Sequence, residues 1–187
     1  MARHPAQVET EIKLRVRRPS TLKRRLAALG YVILKPRVLE VNIVFDTPSG
    51  ALRQNGKLLR LRQAGTFSTI TFKGPLASGP YKSREEIEAN VAAAPAMQLI
   101  LRGLGFAPVF RYEKYRTEYA KPRQTGIIMF DHTPIGDFVE LEGAPRWIDG
   151  AARALGYSPA DYITASYGAL YVQHCRDSGV EPGHMVF

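Results

Sequence analysis

The stretch Val8-Glu9-Thr10-Glu11-Ile12-Lys13-Leu14 decides the fold, because side chains alternate across an extended strand. Glu9, Glu11 and Lys13 fall on one face, and Val8, Ile12 and Leu14 fall on the other. A single strand of this kind describes any half-buried sheet with one face in water. The pattern recurs, however. Arg60 and Arg62 alternate with Leu59 and Leu61, and Lys73 follows Thr71 with Ile70 and Phe72 on the opposite parity. Arg84, Glu86 and Glu88 share a face opposed to Ile87. Lys114 and Arg116 come next, then Asp131, and finally Glu140 and Glu142 between Val139 and Leu141. Charges of both signs therefore lie on one face of segment after segment, with an apolar face behind them.

Two arrangements fit this pattern: a flat sheet with one solvated face, or a closed barrel with a polar lumen and an apolar exterior covered by helices. Closure explains more, since it removes the exposed edges that a flat eight-stranded sheet would leave. Runs rich in Val, Ile, Thr, Tyr and Phe predict strands near 7–17, 37–46, 57–64, 67–73, 81–91, 108–120, 126–132 and 136–143. Helices are predicted over 19–29, 95–104 and 148–155, each ending in Leu-Gly-aromatic (Leu29-Gly30-Tyr31, Leu104-Gly105-Phe106, Leu155-Gly156-Tyr157), where a glycine cap ends the helix. A last helix is expected over 159–174, and residues 179–187 read as a loose tail. The expected fold is thus α+β: a closed eight-stranded antiparallel barrel with helices outside. It forms one domain spanning 1–187, with a core over about 7–172.

The composition is that of an ordinary globular protein, with 45% hydrophobic and 23% charged residues, which excludes disordered and fibrous classes. No apolar run approaches the roughly 20 residues that cross a bilayer, and the N-terminus has no apolar signal core, so the expected address is the cytoplasm and no membrane partner is expected. Cys175 is the only cysteine, which rules out an internal disulfide or a thiolate metal cluster. The net charge of +9 points to a polyanionic partner. The basic run Arg15, Arg17, Arg18 and Lys23-Arg24-Arg25 has no interleaved aromatic residues, which argues against nucleic acid. No Walker loop is present: Gly50 and Gly56 precede Lys57, but the spacing is wrong and Leu58 stands where Ser or Thr is needed. His132 follows Asp131 and so points away from the lumen. Nothing in the sequence sets an oligomeric state.

A lumen lined by Lys13, Arg60, Arg62, Lys73, Arg84, Lys114 and Arg116 among several carboxylates is costly if empty, because buried ions need partners. Guanidinium and ammonium groups suit phosphate oxygens, and clustered carboxylates suit a hard divalent cation. A polyphosphate bridged to Mg²⁺ or Mn²⁺ satisfies both sets.

These residues also resemble a family. Glu9-x-Glu11-x-Lys13 is similar to the ExExK signature of CYTH proteins, the triphosphate tunnel metalloenzymes. Arg60-x-Arg62, Lys73-Gly74-Pro75, Arg84-x-Glu86-x-Glu88, Lys114-x-Arg116, Asp131 and Gly136 through Glu142 resemble its later motifs in order, over about residues 7–172. The resemblance implies an eight-stranded antiparallel tunnel whose carboxylates hold divalent metal and whose cations hold a triphosphate, as in thiamine, inorganic and RNA triphosphatases and class IV adenylyl cyclases. The stretch around Phe130-Asp131-His132 and Ile135-Gly136-Asp137-Phe138, with Ser166-Tyr167, resembles the bacterial branch called class IV adenylyl cyclase. Thiamine triphosphatases place a lysine in the last helical region, where this chain reads Thr164-Ala165-Ser166-Tyr167-Gly168, and that departure argues against a thiamine triphosphatase.

On this reading Glu9, Glu11, Glu140 and Glu142 are the metal ligands, with Asp131 and Glu86 or Glu88 as further ligands or water-holding groups. Lys13, Arg60, Arg62, Lys73, Lys114 and Arg116 clamp phosphate oxygens. Arg84 either joins them, pairs with Glu86 of a neighbouring molecule or orients Glu88. Glu9, Glu11, Lys13, Glu140 and Glu142 form the expected catalytic centre, with tripolyphosphate, ATP or a similar triphosphate as ligand. Hydrolysis is expected ahead of cyclisation of ATP to cyclic AMP and pyrophosphate, because no nucleobase pocket is legible. A non-catalytic polyphosphate-binding module is the third reading, against which the many carboxylates argue.

Overall fold

Eight strands close into a ring: β1 (Gln7–Val16), β2 (Val32–Asp46), β3 (Leu58–Ala64), β4 (Phe67–Lys73), β5 (Lys82–Asn90), β6 (Ala107–Ala120), β7 (Ile127–Thr133) and β8 (Gly136–Glu142). The structure is a computed structural model and describes residues 7–187. Around the ring the order is β1-β5-β4-β3-β2-β6-β7-β8, and every neighbouring pair is antiparallel. The expected eight-stranded barrel is thus the fold.

The apolar parity of each strand faces outward, and helices cover it. Helices α1 (Pro19–Ala28) and α4 (Pro145–Ala154) lay Leu22, Leu26, Ile148, Ala152 and the following Leu155 against Ile12 and Leu14 of β1, Ile128 of β7, and Val139 and Leu141 of β8. On the opposite wall, α3 (Ala94–Gly103) sets Ala94 and Leu101 against Phe45 and Leu61. Gly30, Gly105 and Gly156 follow α1, α3 and α4 at φ of 81°, 87° and 86°, the left-handed conformation that the Leu-Gly-aromatic motif predicts.

The structure departs from the sequence reading in four places. Strand β2 begins at Val32, before Pro36, because the ladder to β6 shifts register between Lys35 and Val38 and so tolerates a residue with no N–H. A short helix α2 (Ala51–Gln54) was not expected. It forms because the Asp46 carboxylate accepts from the N–H groups of Thr47, Leu52 and Arg53 at 2.8, 2.8 and 3.1 Å. The last helix is not continuous over 159–174. A 3₁₀ turn (Pro159–Asp161) is followed by an extended segment in which Ile163 exchanges both backbone hydrogen bonds with Lys13, and α5 (Tyr167–Ser178) starts only at the Ser166 cap. Finally, residues 179–187 are not loose. Met185 is fully buried, its N–H donates to Arg111 and its carbonyl accepts from Glu113, so it occupies a length of β6 that β7 does not reach.

Among the described residues no helix is long and apolar enough to cross a membrane.

Candidate functional site

Strand register brings the charged parity of every strand into one lumen. Across β1 and β8, Lys13 lies opposite Glu140 and Glu11 opposite Glu142; across β1 and β5, Glu9 lies opposite Arg84 and Glu11 opposite Lys82. Lys73 faces Glu86 and Thr71 faces Glu88 on β4 and β5, and Arg116 faces Asp131 on β6 and β7. All the residues expected at the site therefore face one lumen. Its cavity measures about 1360 Å³, larger than the roughly 300–1,000 Å³ usual for a small-molecule site.

Three networks tie these groups together. Asp131, 0% exposed, accepts from Lys114 Nζ (2.9 Å), from Arg116 Nε and Nη2 (2.7 and 2.6 Å) and from the Tyr167 hydroxyl (2.6 Å). Both of its oxygens accept from donors, so it anchors cations. Arg116 continues to Glu140, which also meets Lys13 at 3.4 Å. Lys13 bonds Glu11 (3.0 Å), and Glu11 also accepts from Lys82. The third network joins Lys73 to Glu9 and Glu86 and runs through Arg60 to Thr71 (3.1 Å) and Glu88 (3.4 Å).

The electrostatics divide the carboxylates into two kinds. Burial works to raise Glu11, but Lys13, Lys82 and Lys73 outweigh it and hold the carboxyl well below the usual range. Glu140 is likewise held low against burial by Arg116, Lys114 and Lys13. Glu142 behaves in the opposite way. Burial, reinforced by Glu9, Glu11, Glu140 and Glu86, pushes it up to about 7, and no Lys or Arg pairs with it among the described residues. Glu86 also rises to about 7, through burial and the neighbouring Glu9, against the pull of Lys73. On the cationic side, burial and Lys13 depress Lys82 to about 8 in spite of Glu11.

Two buried guanidinium groups lack partners for a donor: Arg60 Nε and Arg84 Nε. Arg84 also has no ion-pair partner among the described residues, so neither Glu86 nor Glu88 claims it. A buried charged donor without an acceptor costs on the order of 1–3 kcal/mol, which an anion in the lumen would recover. The carboxylates fit a divalent cation by their chemistry: oxygen donors crowded enough that Glu142 and Glu86 resist ionising. As the side chains stand, no three of them form a ready-made metal cage among the described residues, because cations already hold most of the oxygens.

Sequence reading missed several lumen residues. Lys82 shares the parity of Arg84, and Glu40 with Asn42 supplies the polar face of β2, so both were legible from alternation. Arg62 bonds the Asn42 amide oxygen (3.0 Å) and Glu40 (3.3 Å). Tyr112 is two residues before Lys114, and its hydroxyl accepts from Arg60 Nη1 at 3.4 Å; burial raises this phenol, but Arg60, Arg62 and Lys114 draw it down to about 8. Tyr167 enters from α5, and no strand pattern could have shown it. Its ring lies 5.2 Å from Lys13 Nζ and 4.9 Å from Lys114 Nζ. With Lys82 included, twelve Lys and Arg line this cavity against eight Asp and Glu, and Glu40 and Asp131 are buried among them, so the cavity carries a surplus of positive charge. As expected, His132 lies outside, where it bonds Asp137 at 2.7 Å.

Comparison with known proteins agrees with this architecture. The chain is 29% identical to the adenylate cyclase CyaB of Aeromonas hydrophila over 177 residues, covering 88% of this chain and 89% of that protein. A putative adenylate cyclase of Methanocaldococcus jannaschii is 31% identical over 135 residues, covering 72% of this chain and 76% of its own length. Among solved structures, a putative adenylate cyclase from Vibrio parahaemolyticus superposes with a TM-score of 0.77 at 22% identity, covering 87% of this chain and 96% of its own. A Hippeastrum protein described as a putative adenylyl cyclase with a dominant triphosphatase activity superposes with a TM-score of 0.65 at 20% identity, covering 93% and 97%. The CYTH domain model matches residues 7–167, the span that builds the barrel and ends at Tyr167, and the chain belongs to the CYTH domain family.

Proposed function

We propose that the protein is a divalent-metal-dependent triphosphatase that grips a triphosphate inside the barrel and hydrolyses a phosphoanhydride bond. The observation that carries this reading is one cavity in which cations and carboxylates are interleaved, the cations in excess, with two buried guanidinium nitrogens left without acceptors. A triphosphate and divalent cations together engage both sets, and neither ligand alone does so. Arg60, Arg62, Lys73, Arg84, Lys114 and Arg116 hold phosphate oxygens, and Lys13 meets charge developing on the leaving phosphate. Glu9, Glu11, Glu140 and Glu142, with Glu86 and Glu88, would hold Mg²⁺ or Mn²⁺, which when bound supplies Lewis acidity and charge neutralisation.

Hydrolysis is preferred because the lumen offers mainly charged groups suited to phosphate, and its neutral polar and aromatic groups are already engaged among the described residues. The Asn42 amide oxygen is taken by Arg62, and the Tyr112 and Tyr167 rings are packed against Phe138 and Met185. The Hippeastrum neighbour's triphosphatase activity supports the same reading by analogy. The alternative is adenylyl cyclisation, favoured by the names of the two sequence relatives. One panel separates the two: tripolyphosphate, thiamine triphosphate and ATP with Mg²⁺ or Mn²⁺, following phosphate, pyrophosphate and cyclic AMP. Phosphate from tripolyphosphate, and ADP from ATP, is the expected result. Cyclic AMP accumulating in step with pyrophosphate overturns hydrolysis and leaves the tunnel standing.

A further inference from the structure

We infer that residues 180–187 act as a positioning strap that aims Arg60 into the tunnel through Tyr112. The inference rests on the triphosphate reading and assigns to the end of the chain a part in the phosphate grip.

Strand β6 pairs with β7 only from Tyr115 onward, so the stretch before it lacks a neighbour on that side. Met185 fills the gap by a parallel bridge to Tyr112, with Met185 N–H donating to Arg111 (3.0 Å) and Glu113 N–H donating to Met185 (2.8 Å). The Met185 side chain, 0% exposed, is buried in one cluster with Tyr112, Phe138 and Tyr167. On either side the segment is fastened again. The Tyr171 hydroxyl donates to the His184 carbonyl (3.0 Å), and the Phe187 ring stacks on His132 at 5.4 Å. Tyr112 is thereby held at its side while its hydroxyl accepts from Arg60 Nη1 in the cavity. Arg60 needs such a hold. Its Nη2 is shared between Thr71 and Glu88 while its buried Nε is left open, so the Tyr112 contact orients the guanidinium edge that has no acceptor. Tyr112 and Met185 are positioning residues: the phosphate meets Arg60, and they determine where Arg60 points.

The test is calorimetric titration of the full-length protein with tripolyphosphate and Mg²⁺, alongside thermal melting. Tyr112→Phe is expected to weaken binding by roughly three- to tenfold, the worth of one such hydrogen bond. Met185→Ala is expected to do the same, Met185→Leu to restore affinity, and the double variant Tyr112→Phe/Met185→Ala to bind no more weakly than Tyr112→Phe alone, because both changes act through one contact. A Met185→Ala variant that melts earlier but binds tripolyphosphate as well as wild type overturns the strap, as do losses that multiply in the double variant. A wild type that binds no tripolyphosphate refutes the triphosphate reading, and the strap with it.

Discussion

Arg84 and Glu11 face the same lumen but have opposite consequences for stability and binding. Arg84 has no carboxylate within ion-pair reach among the described residues, and its buried Nε lacks an acceptor, which costs stability. Arg84→Gln is therefore expected to leave the melting temperature unchanged or raise it, while weakening tripolyphosphate binding by about tenfold, the value of a charge-assisted hydrogen bond. Melting curves with and without the anion check both signs; equal anion-induced shifts in variant and wild type would place the anion elsewhere. Glu11 is the reverse case, since it compensates Lys13 and Lys82 together. Glu11→Gln should abolish metal-dependent turnover and also cost on the order of 3 kcal/mol in denaturant unfolding, because it leaves two buried ammonium groups short of charge. Glu9→Gln, which touches only the Lys73 network, should remove turnover at a smaller stability cost. Full activity with Mg²⁺ in either variant would remove these residues from the metal's holders.

At the scale of elements, the barrel's exterior depends on how closely helices approach it. Helix α4 begins beside the loop before β7, where a Cβ placed on Gly126 would lie 2.1 Å from the Trp147 ring. Gly126→Ala must push that ring away, and the expected cost is about 1–3 kcal/mol. For a chain of this size that lowers the melting temperature by roughly 2–4 °C per kcal/mol. A variant that melts with wild type would show that α4 reseats without loss. Helix α5 matters differently. Its first residue, Tyr167, reaches inward to Asp131, and the extended segment before it pairs with Lys13, so the last helix is tied to the lumen at its start and to the β6 seam beyond its end.

Over the whole molecule, two lumen carboxylates make stability pH-sensitive. Glu86 and Glu142 have folded-state pKa values near 7, above the 4.5 of an ordinary glutamate. Between those values the folded state binds more protons than the unfolded chain, so this contribution is complete below pH 4.5 and is lost as pH rises through 7. Glu11 and Glu140, held low, titrate below this window, and Lys82, depressed to about 8, titrates above it. The metal-free protein is therefore expected to lose on the order of 5 °C in melting temperature between pH 5 and 7.5. Mg²⁺ or Mn²⁺ should remove most of that loss by taking the place of the protons. A metal-free protein equally stable at both pH values would show that these carboxylates ionise normally.

Alternation, the edges that a flat eight-stranded sheet would expose and the family resemblance together made the barrel legible. Period-two charge in Glu9-x-Glu11-x-Lys13 and its repeats puts the charges on one face of each strand, because strand geometry leaves side chains no other choice. The Leu-Gly-aromatic stops were equally local, since only glycine adopts the left-handed cap without cost. Tertiary structure decided what depends on residues far apart in the chain. Asp131 is an anchor because Lys114, Arg116 and Tyr167 converge on it from two other elements. Glu142 is the carboxylate left without a cation because of which strands became neighbours, not because of anything near it in sequence. The final residues looked like a tail because their few apolar positions show no period. Met185 is buried there because β6 outruns β7 and leaves a backbone edge, and only the pairing of these two strands sets where that edge lies.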